Sequence, residues 1–147
     1  MSIQDRLGEE MKAAMKARDS LRLGTIRMAR TALKNAAIEA RQDLDDAATI
    51  KVLSTLVKQR REAAEAYRAT RPELADKEEQ ELAVLQEFLP AQLSEVELEE
   101  MVARAISESG AGSLRDMGAV MKLLTPQTTG RADGKLVSEI VRKHLAG

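Results

Sequence analysis

The sequence predicts an all-α protein made of two small helical domains. Helix-favouring residues (Ala, Leu, Glu, Lys and Arg) dominate the 147 positions, and runs of β-branched residues are absent. Apolar residues return at spacings of three and four, which is the period of an amphipathic helix. The only aromatic side chains, Tyr67 and Phe88, fall on these apolar stripes. The pattern therefore predicts about seven helices and no strand.

About four helices are expected in residues 1–90. Breaks between or after them are predicted at Asp19-Ser20, residues 43–46, Arg71-Pro72 and Pro90. Proline disfavours a helical conformation in the residue before it, and acidic residues are favourable at the positive end of a helix dipole. The second helix should end near Arg41, and the fourth should run from Glu73 to Leu89.

About three helices are expected in residues 91–147, because the character of the sequence changes near Pro90. Ser94 and Glu97 have the spacing of a capping box, in which each side chain bonds to the backbone of the other. Later boundaries are predicted at Gly110-Ala111-Gly112, at Ser113 with Asp116, at Thr125-Pro126 and at Asp133, which caps the last helix. We place the boundary between the two domains after Pro90.

Charge is balanced overall but unevenly distributed. The chain has 23 basic and 24 acidic residues, which argues against a generic electropositive coat for nucleic acid. Residues 12–34 nevertheless hold seven bases and one acid, and residues 113–147 hold six bases and three acids. Residues 73–100 reverse the balance with ten acids and one base. Any nucleic-acid binding must therefore be local.

The sequence also limits the compartment and the chemistry. The chain has no cysteine, which excludes disulfides, thiolate zinc sites and a thiol nucleophile and is typical of a reducing cytoplasm. Its first residues lack the pattern of a secretory signal, and no run of about 18 apolar residues indicates a membrane span. The single histidine, His144, lies in the last helical turn, where a cation is ordinary surface chemistry. We therefore predict no catalytic residue, no metal site and no cofactor.

Two basic groups are candidates for phosphate binding. In the segment Gly130 to Leu136, a glycine-bearing loop precedes a helix N-terminus, where backbone N–H groups, Arg131 and Lys135 can hold a phosphate. The glycines equally suit a simple turn. The second group is a stripe of Lys58, Arg61 and Arg68 on one helix face, which serves either phosphate contact or ion pairs within the helix, the latter slightly favoured.

Four ordered motifs resemble the YqeY family, and the resemblance extends over nearly the whole chain. They are KQRREAAEAY (Lys58 to Tyr67), the stretch from Glu78 to Leu98, MGAVMK (Met117 to Lys122) and TGRADGKLVSEIVRKHL (Thr129 to Leu145). The last two also resemble the C-terminal tail of GatB, the tRNA-handling subunit of the glutamine-dependent aminoacyl-tRNA amidotransferase. By this resemblance, the residues expected to face tRNA are Gly118, Lys122, Gly130, Arg131, Asp133 and Lys135. GatB tails often have proline where this chain has Gly134, so the loop is expected to differ there.

The resemblance implies a tRNA-binding or amidotransferase-associated adaptor in the cytoplasm. The family is classed with carbon–nitrogen ligases that use glutamine as amido donor, yet this chain lacks both the GatB cradle domain and the serine–lysine amidase. We therefore expect no catalytic site of its own. Two alternatives stay open: a helical module that binds another protein, and, less favoured, a glutamine-dependent ligase.

Overall fold

The computed structural model describes residues 1–147 and contains seven α-helices and one 3-10 turn. The helices are α1 (Ile3–Ala17), α2 (Ser20–Ala40), α3 (Asp46–Tyr67), α4 (Pro72–Gln86), α5 (Glu95–Ser109), α6 (Met117–Thr128) and α7 (Gly134–Ala146), with the 3-10 turn at Leu114–Asp116. No residue lies in a β-strand, so the all-α prediction is confirmed. None of the helices combines the length and the apolar composition that crossing a bilayer requires.

The helix starts follow from local hydrogen bonds that the sequence predicts. The carboxylates of Asp19 and Asp133 each accept a backbone N–H at the start of α2 and α7, respectively. Ser94 and Glu97 form the predicted capping box at the start of α5. These side chains satisfy N–H groups that a helix leaves without an internal partner, which is why short polar residues occur at these positions.

The helices pack as two compact units, Met1–Pro90 and Ala91–Gly147. In the first unit, α3 packs along α4 and α1 packs along α2, while α2 also contacts α3 and α4. Its core has no exposed surface or almost none, and its largest members are Leu7, Ile26, Leu53, Leu85 and Phe88. Burying such side chains stabilises the fold by about 1.5–3 kcal/mol each.

The second unit contains α5, α6, α7 and the 3-10 turn. All three helices contact one another, and the 3-10 turn contacts α6 and α7. The core consists of fully buried aliphatic residues, chiefly Leu98, Val102, Val120, Leu124 and Val137. This core sets the relative positions of α6 and α7, which carry three of the six predicted tRNA-facing residues, while the loop between them carries the other three.

The prediction that Thr125-Pro126 ends the sixth helix is wrong, because α6 continues to Thr128. A proline inside a helix removes one N–H donor and crowds the preceding turn. Here the hydroxyls of Thr128 and Thr129 donate to the carbonyl oxygens of Leu124 and Thr125, at 3.2 and 2.7 Å. The N–H that Pro126 lacks would have bonded to the carbonyl oxygen of Lys122, whereas the N–H of Thr129 still bonds to the carbonyl oxygen of Thr125 at 3.1 Å, so the helix extends past the proline with the loss of one bond.

The predicted fourth helix is also too long, because α4 ends at Gln86 and not at Leu89. The N–H groups of Phe88 and Leu89 bond to carbonyls three residues back, which tightens the chain into turns. Phe88 still reaches the core of the first unit, with 1% of its surface exposed. Apolar spacing alone could not distinguish the last α-helical turn from these tighter turns.

Candidate nucleic-acid interface

The loop between α6 and α7 turns at Gly130. Its φ of +78° lies in the left-handed region, which glycine adopts without the steric cost that a Cβ imposes. Gly130 is buried, and its carbonyl oxygen accepts a hydrogen bond of 2.8 Å from Nε2 of Gln92. Gly130 therefore shapes the loop and anchors the start of the second unit, which matches the simple-turn interpretation of this glycine.

Arg131 is half-buried and bound to the segment that precedes α5. Its Nε donates to the carbonyl oxygen of Ala91 at 3.1 Å, and its own carbonyl oxygen accepts the N–H of Leu93 at 2.8 Å. Its charge also contributes to the lowered pKa of Glu97, although hydrogen bonds from Ser94 are the larger cause. Arg131 therefore positions the loop, and a substitution here would disturb structure as well as charge.

The N-terminus of α7 already holds a carboxylate. Asp133 is the N-cap residue, and its Oδ1 accepts the backbone N–H of Lys135 at 3.2 Å. A phosphate bound at these N–H groups would compete with the carboxylate and be repelled by it. The side chain of Lys135 is exposed and forms no ion pair, so that side chain, and not the helix end, is open to a phosphate.

Gly118 and Lys122 lie one turn apart on α6, and both are exposed. A Cβ added to Gly118 would meet no atom within 4 Å. Glycine in a helix costs about 1 kcal/mol relative to alanine, and no close packing within the chain explains it here. The backbone at Gly118 is therefore open to close approach from outside.

Acidic and basic residues are unevenly distributed within the second unit, although Glu139 lies on α7 and Arg104 on α5. Most of its glutamates lie on α5, where Glu99 contacts Nε2 of His144. The exposed cations on or next to α6 and α7 form no ion pair, and they are Arg115, Lys122, Lys135, Arg142 and Lys143. Cations without internal partners are available to an external anion.

The structure does not leave Lys58, Arg61 and Arg68 as a free stripe. Arg68 donates to Asp76 at 2.9 Å and to Glu79 at 2.6 Å, both on α4. These two bonds raise the pKa of Arg68. Lys58 is exposed, and Arg61 is half-buried beside Arg68 in a groove of about 560 Å³. Because Arg68 bonds to α4, it is neither open for phosphate contact nor part of an ion pair within its own helix.

Sequence reasoning missed a buried ion pair. The guanidinium of Arg60, with 9% of its side chain exposed, lies 3.4 Å from the carboxylate of Glu81. The available signal was periodicity, because Arg60 falls between the buried residues Val57 and Ala64 on one face of α3. A charged residue at a core position of a helix usually indicates a partner on the helix that packs against it.

The single histidine contacts a glutamate of another helix. His144 and Glu99 make an exposed contact between α7 and α5. No group of three or more acidic or histidine side chains is arranged to hold a metal ion. The exposed cations and the open glycine backbone on α6 and α7 are accessible to an external anion.

Comparison with known proteins identifies the family. A family model described as Yqey-like protein matches residues 4–145. Three similar curated proteins are each named altered inheritance of mitochondria protein 41, mitochondrial. The protein from Lachancea thermotolerans is 35% identical over 69% of this chain and 57% of its own length, and that from Kluyveromyces lactis is 34% identical over 68% and 55%. The protein from Pyrenophora tritici-repentis is 30% identical over 94% of this chain and 78% of its own.

These relatives correct one prediction. The chain spans little more than half the length of the first two relatives. Their names place them in mitochondria, which contradicts the cytoplasmic location predicted from the sequence. Lack of cysteine means only that the chain does not require an oxidising compartment, so it cannot distinguish the cytoplasm from mitochondria. The match over nearly all residues and the identity to these relatives show that the chain belongs to the YqeY family.

Proposed function

We propose that this protein is a non-catalytic RNA-binding adaptor that contacts the body of a tRNA through α6 and α7. The observation that carries the proposal is the set of exposed cations on this surface that form no ion pair within the chain. Lysine and arginine side chains supply most of the affinity for nucleic acid by neutralising phosphates and releasing counterions. Recognition of unpaired bases by stacking is not part of the proposal, because the unit has no Phe, Tyr or Trp side chain on which a base could stack.

The centre of the proposed surface is Gly118, Lys122 and Lys135. The open backbone at Gly118 allows a phosphate or ribose to approach α6 closely, and Lys122 lies one turn further along the same helix. Gly130, Arg131 and Asp133 act indirectly in this proposal, because their hydrogen bonds hold the loop that leads into α7. Contact through the body of the RNA favours recognition by shape and phosphates.

An association with a glutamine-dependent amidotransferase extends the proposal. Its support is the resemblance of Met117 to Lys122 and Thr129 to Leu145 to the GatB tail. In this arrangement the carbon–nitrogen ligase reaction belongs to the partner subunits, and this chain contributes RNA binding. Glutamine turnover by the purified protein alone would contradict the adaptor and favour the ligase alternative.

The test is binding of purified tRNA by fluorescence anisotropy at about 50 and 200 mM salt. The informative variant is Lys122→Glu/Lys135→Glu, because neither side chain holds the fold together. Its matched control is Lys51→Glu/Lys77→Glu, which makes the same charge change at exposed positions of α3 and α4. We expect the first variant to lower the slope of log affinity against log salt by about 2, since each lost phosphate contact removes about 0.9.

Equal loss of affinity in the control would show that net charge, and not this surface, determines binding. Absence of tRNA binding at low salt would refute the proposed function.

A protein-binding module is the second candidate, and exposed leucines favour it. Leu114, Leu123 and Leu136 leave 49%, 37% and 37% of their surface exposed in the second unit. Exposed apolar residues beside charged ones are typical of surfaces that bind another protein. Light scattering and pull-down after nuclease treatment would detect such a partner, and loss of capture in Leu123→Ser/Leu136→Ser with tRNA affinity unchanged would support this candidate.

A further inference from the structure

A cleft in the first unit lies between α1, α2 and the connection that follows α2. Its volume is about 740 Å³, within the usual range for sites that hold small molecules. Leu7 and Leu33, both buried, contribute to an apolar floor, and Met11 and Leu44 widen it. Neither the resemblance nor the proposed RNA surface on α6 and α7 involves this cleft.

One lip of the cleft is cationic. Arg27, Arg30 and Lys34 line it from α2 at spacings of three and four, which places them along one face over about 10 Å of helix. All three side chains are exposed, and none forms an ion pair. Nη1 of Arg30 lies 3.0 Å from the sulfur of Met11 on α1, a weak acceptor that leaves the positive charge uncompensated.

The opposite lip carries acceptors. Gln4 and Asp5 line it from α1, and Asp43 lines it from the α2–α3 connection. The carboxylate of Asp5 accepts the backbone N–H of Ser2 at 3.2 Å, and the backbone N–H of Asp5 donates to the hydroxyl of Ser2. A ligand that was anionic throughout would be repelled by these carboxylates. The cleft instead matches a molecule with an anionic end and hydrogen-bond donors at the other end.

We infer that this cleft binds a nucleoside phosphate, either as a free nucleotide or as the 5′-phosphorylated end of an RNA strand. The guanidinium groups of Arg27 and Arg30 match phosphate oxygens in paired hydrogen bonds, and Lys34 adds a third charge. Ribose hydroxyls and base amino groups donate hydrogen bonds to the carboxylates of Asp5 and Asp43. The aliphatic floor covers a base or sugar face by apolar contact. The inference is independent of tRNA binding by α6 and α7.

The test measures binding at the cleft with defined probes. Adenosine 5′-monophosphate, adenosine 5′-triphosphate and a 5′-phosphorylated RNA decamer are titrated into isotopically labelled full-length protein, and backbone amide shifts are followed by NMR. We expect shifts in residues 4–11 and 27–44 with at least one probe. Shifts with the nucleotides identify a free nucleotide as the ligand, and shifts with the decamer alone identify a strand end.

The variant Arg27→Gln/Lys34→Gln should weaken this binding at least tenfold. Its control, Lys16→Gln/Lys51→Gln, removes the same charge from exposed positions that do not line the cleft and should change affinity less than twofold. The variant Lys122→Glu/Lys135→Glu should leave nucleotide binding intact, which separates failure of this inference from failure of the tRNA proposal. Absence of cleft shifts with all three probes, or an equal effect of the control, would overturn the inference.

Discussion

Replacing Glu81 by glutamine should destabilise the protein by leaving the charge of Arg60 buried without a partner. The two side chains are 9% and 16% exposed, and they join α3 to α4 in the first unit. Nε of Arg60 has no hydrogen-bond partner, and Nη2 lies 3.1 Å from the sulfur of Met28. The carboxylate of Glu81 is therefore the anion that compensates the guanidinium charge.

The size of the effect follows from the geometry. At 3.4 Å and an effective dielectric constant of about 20, Coulomb's law gives an attraction of about 5 kcal/mol. Desolvation of the two ions cancels several kcal/mol of it, so the pair itself adds little to stability. Loss of one partner typically costs about 3–5 kcal/mol, and the residual exposure of Glu81 places the expected loss for Glu81→Gln at about 2–3 kcal/mol.

Urea unfolding followed by circular dichroism measures this loss as a change in the free energy of unfolding. Glu79→Gln is the matched control, because Glu79 lies on the same helix and pairs with Arg68 at the shorter distance of 2.6 Å but is exposed. Its loss should be clearly smaller. Arg60→Met/Glu81→Leu should recover most of the stability, since an apolar pair of similar volume needs no compensation. Equal losses for Glu79→Gln and Glu81→Gln would refute the claim that burial determines the cost.

Two further outcomes are expected. Gly110→Ala should lower the free energy of unfolding by about 1 kcal/mol because its φ of +70° disfavours a Cβ, whereas Gly112→Ala, measured by the same urea titration, should have little effect. Hydrogen bonds from Ser2 lower the folded-state pKa of Asp5, and those from Ser94 lower the folded-state pKa of Glu97. Each carboxylate therefore adds to folding stability above its ordinary pKa, 3.8 for Asp5 and 4.5 for Glu97, and this stability is lost as pH falls through the lower folded-state pKa. Between about pH 6 and pH 3, Asp5→Asn/Glu97→Gln should therefore lose less stability than the unmodified protein, and an equal loss would contradict this assignment.

The fold class and most helix starts could be predicted from the sequence because they depend on contacts three or four residues apart. Ser94 with Glu97 and Asp133 before α7 are examples, since each cap bonds to backbone within three positions. Helix ends were less predictable. α6 extends past Pro126 because the proline removes only one hydrogen bond, and residue type does not reveal whether the bonds after it still form.

The sequence could not rank the candidate site residues, because residue type does not reveal whether a charged side chain already has a partner. Arg131 and Lys135 are equivalent basic residues in the sequence, yet Arg131 holds the backbone of Ala91, 40 positions earlier, and Lys135 is exposed. Arg68 likewise bonds to Asp76 and not to a residue of its own helix. The tRNA-facing role of Lys135 stays a prediction, which the variant Lys122→Glu/Lys135→Glu tests.

The sequence by itself determined the all-α class and the helix caps, because periodicity and short-range hydrogen bonding act within one or two helical turns. Its ordered motifs also indicated the YqeY family. The tertiary structure decided which cations are free, that Arg60 meets Glu81, and that three bases of α2 line a cleft with an apolar floor. Those outcomes depend on how helices that are distant in the chain pack, because packing brings together side chains that are far apart in the sequence.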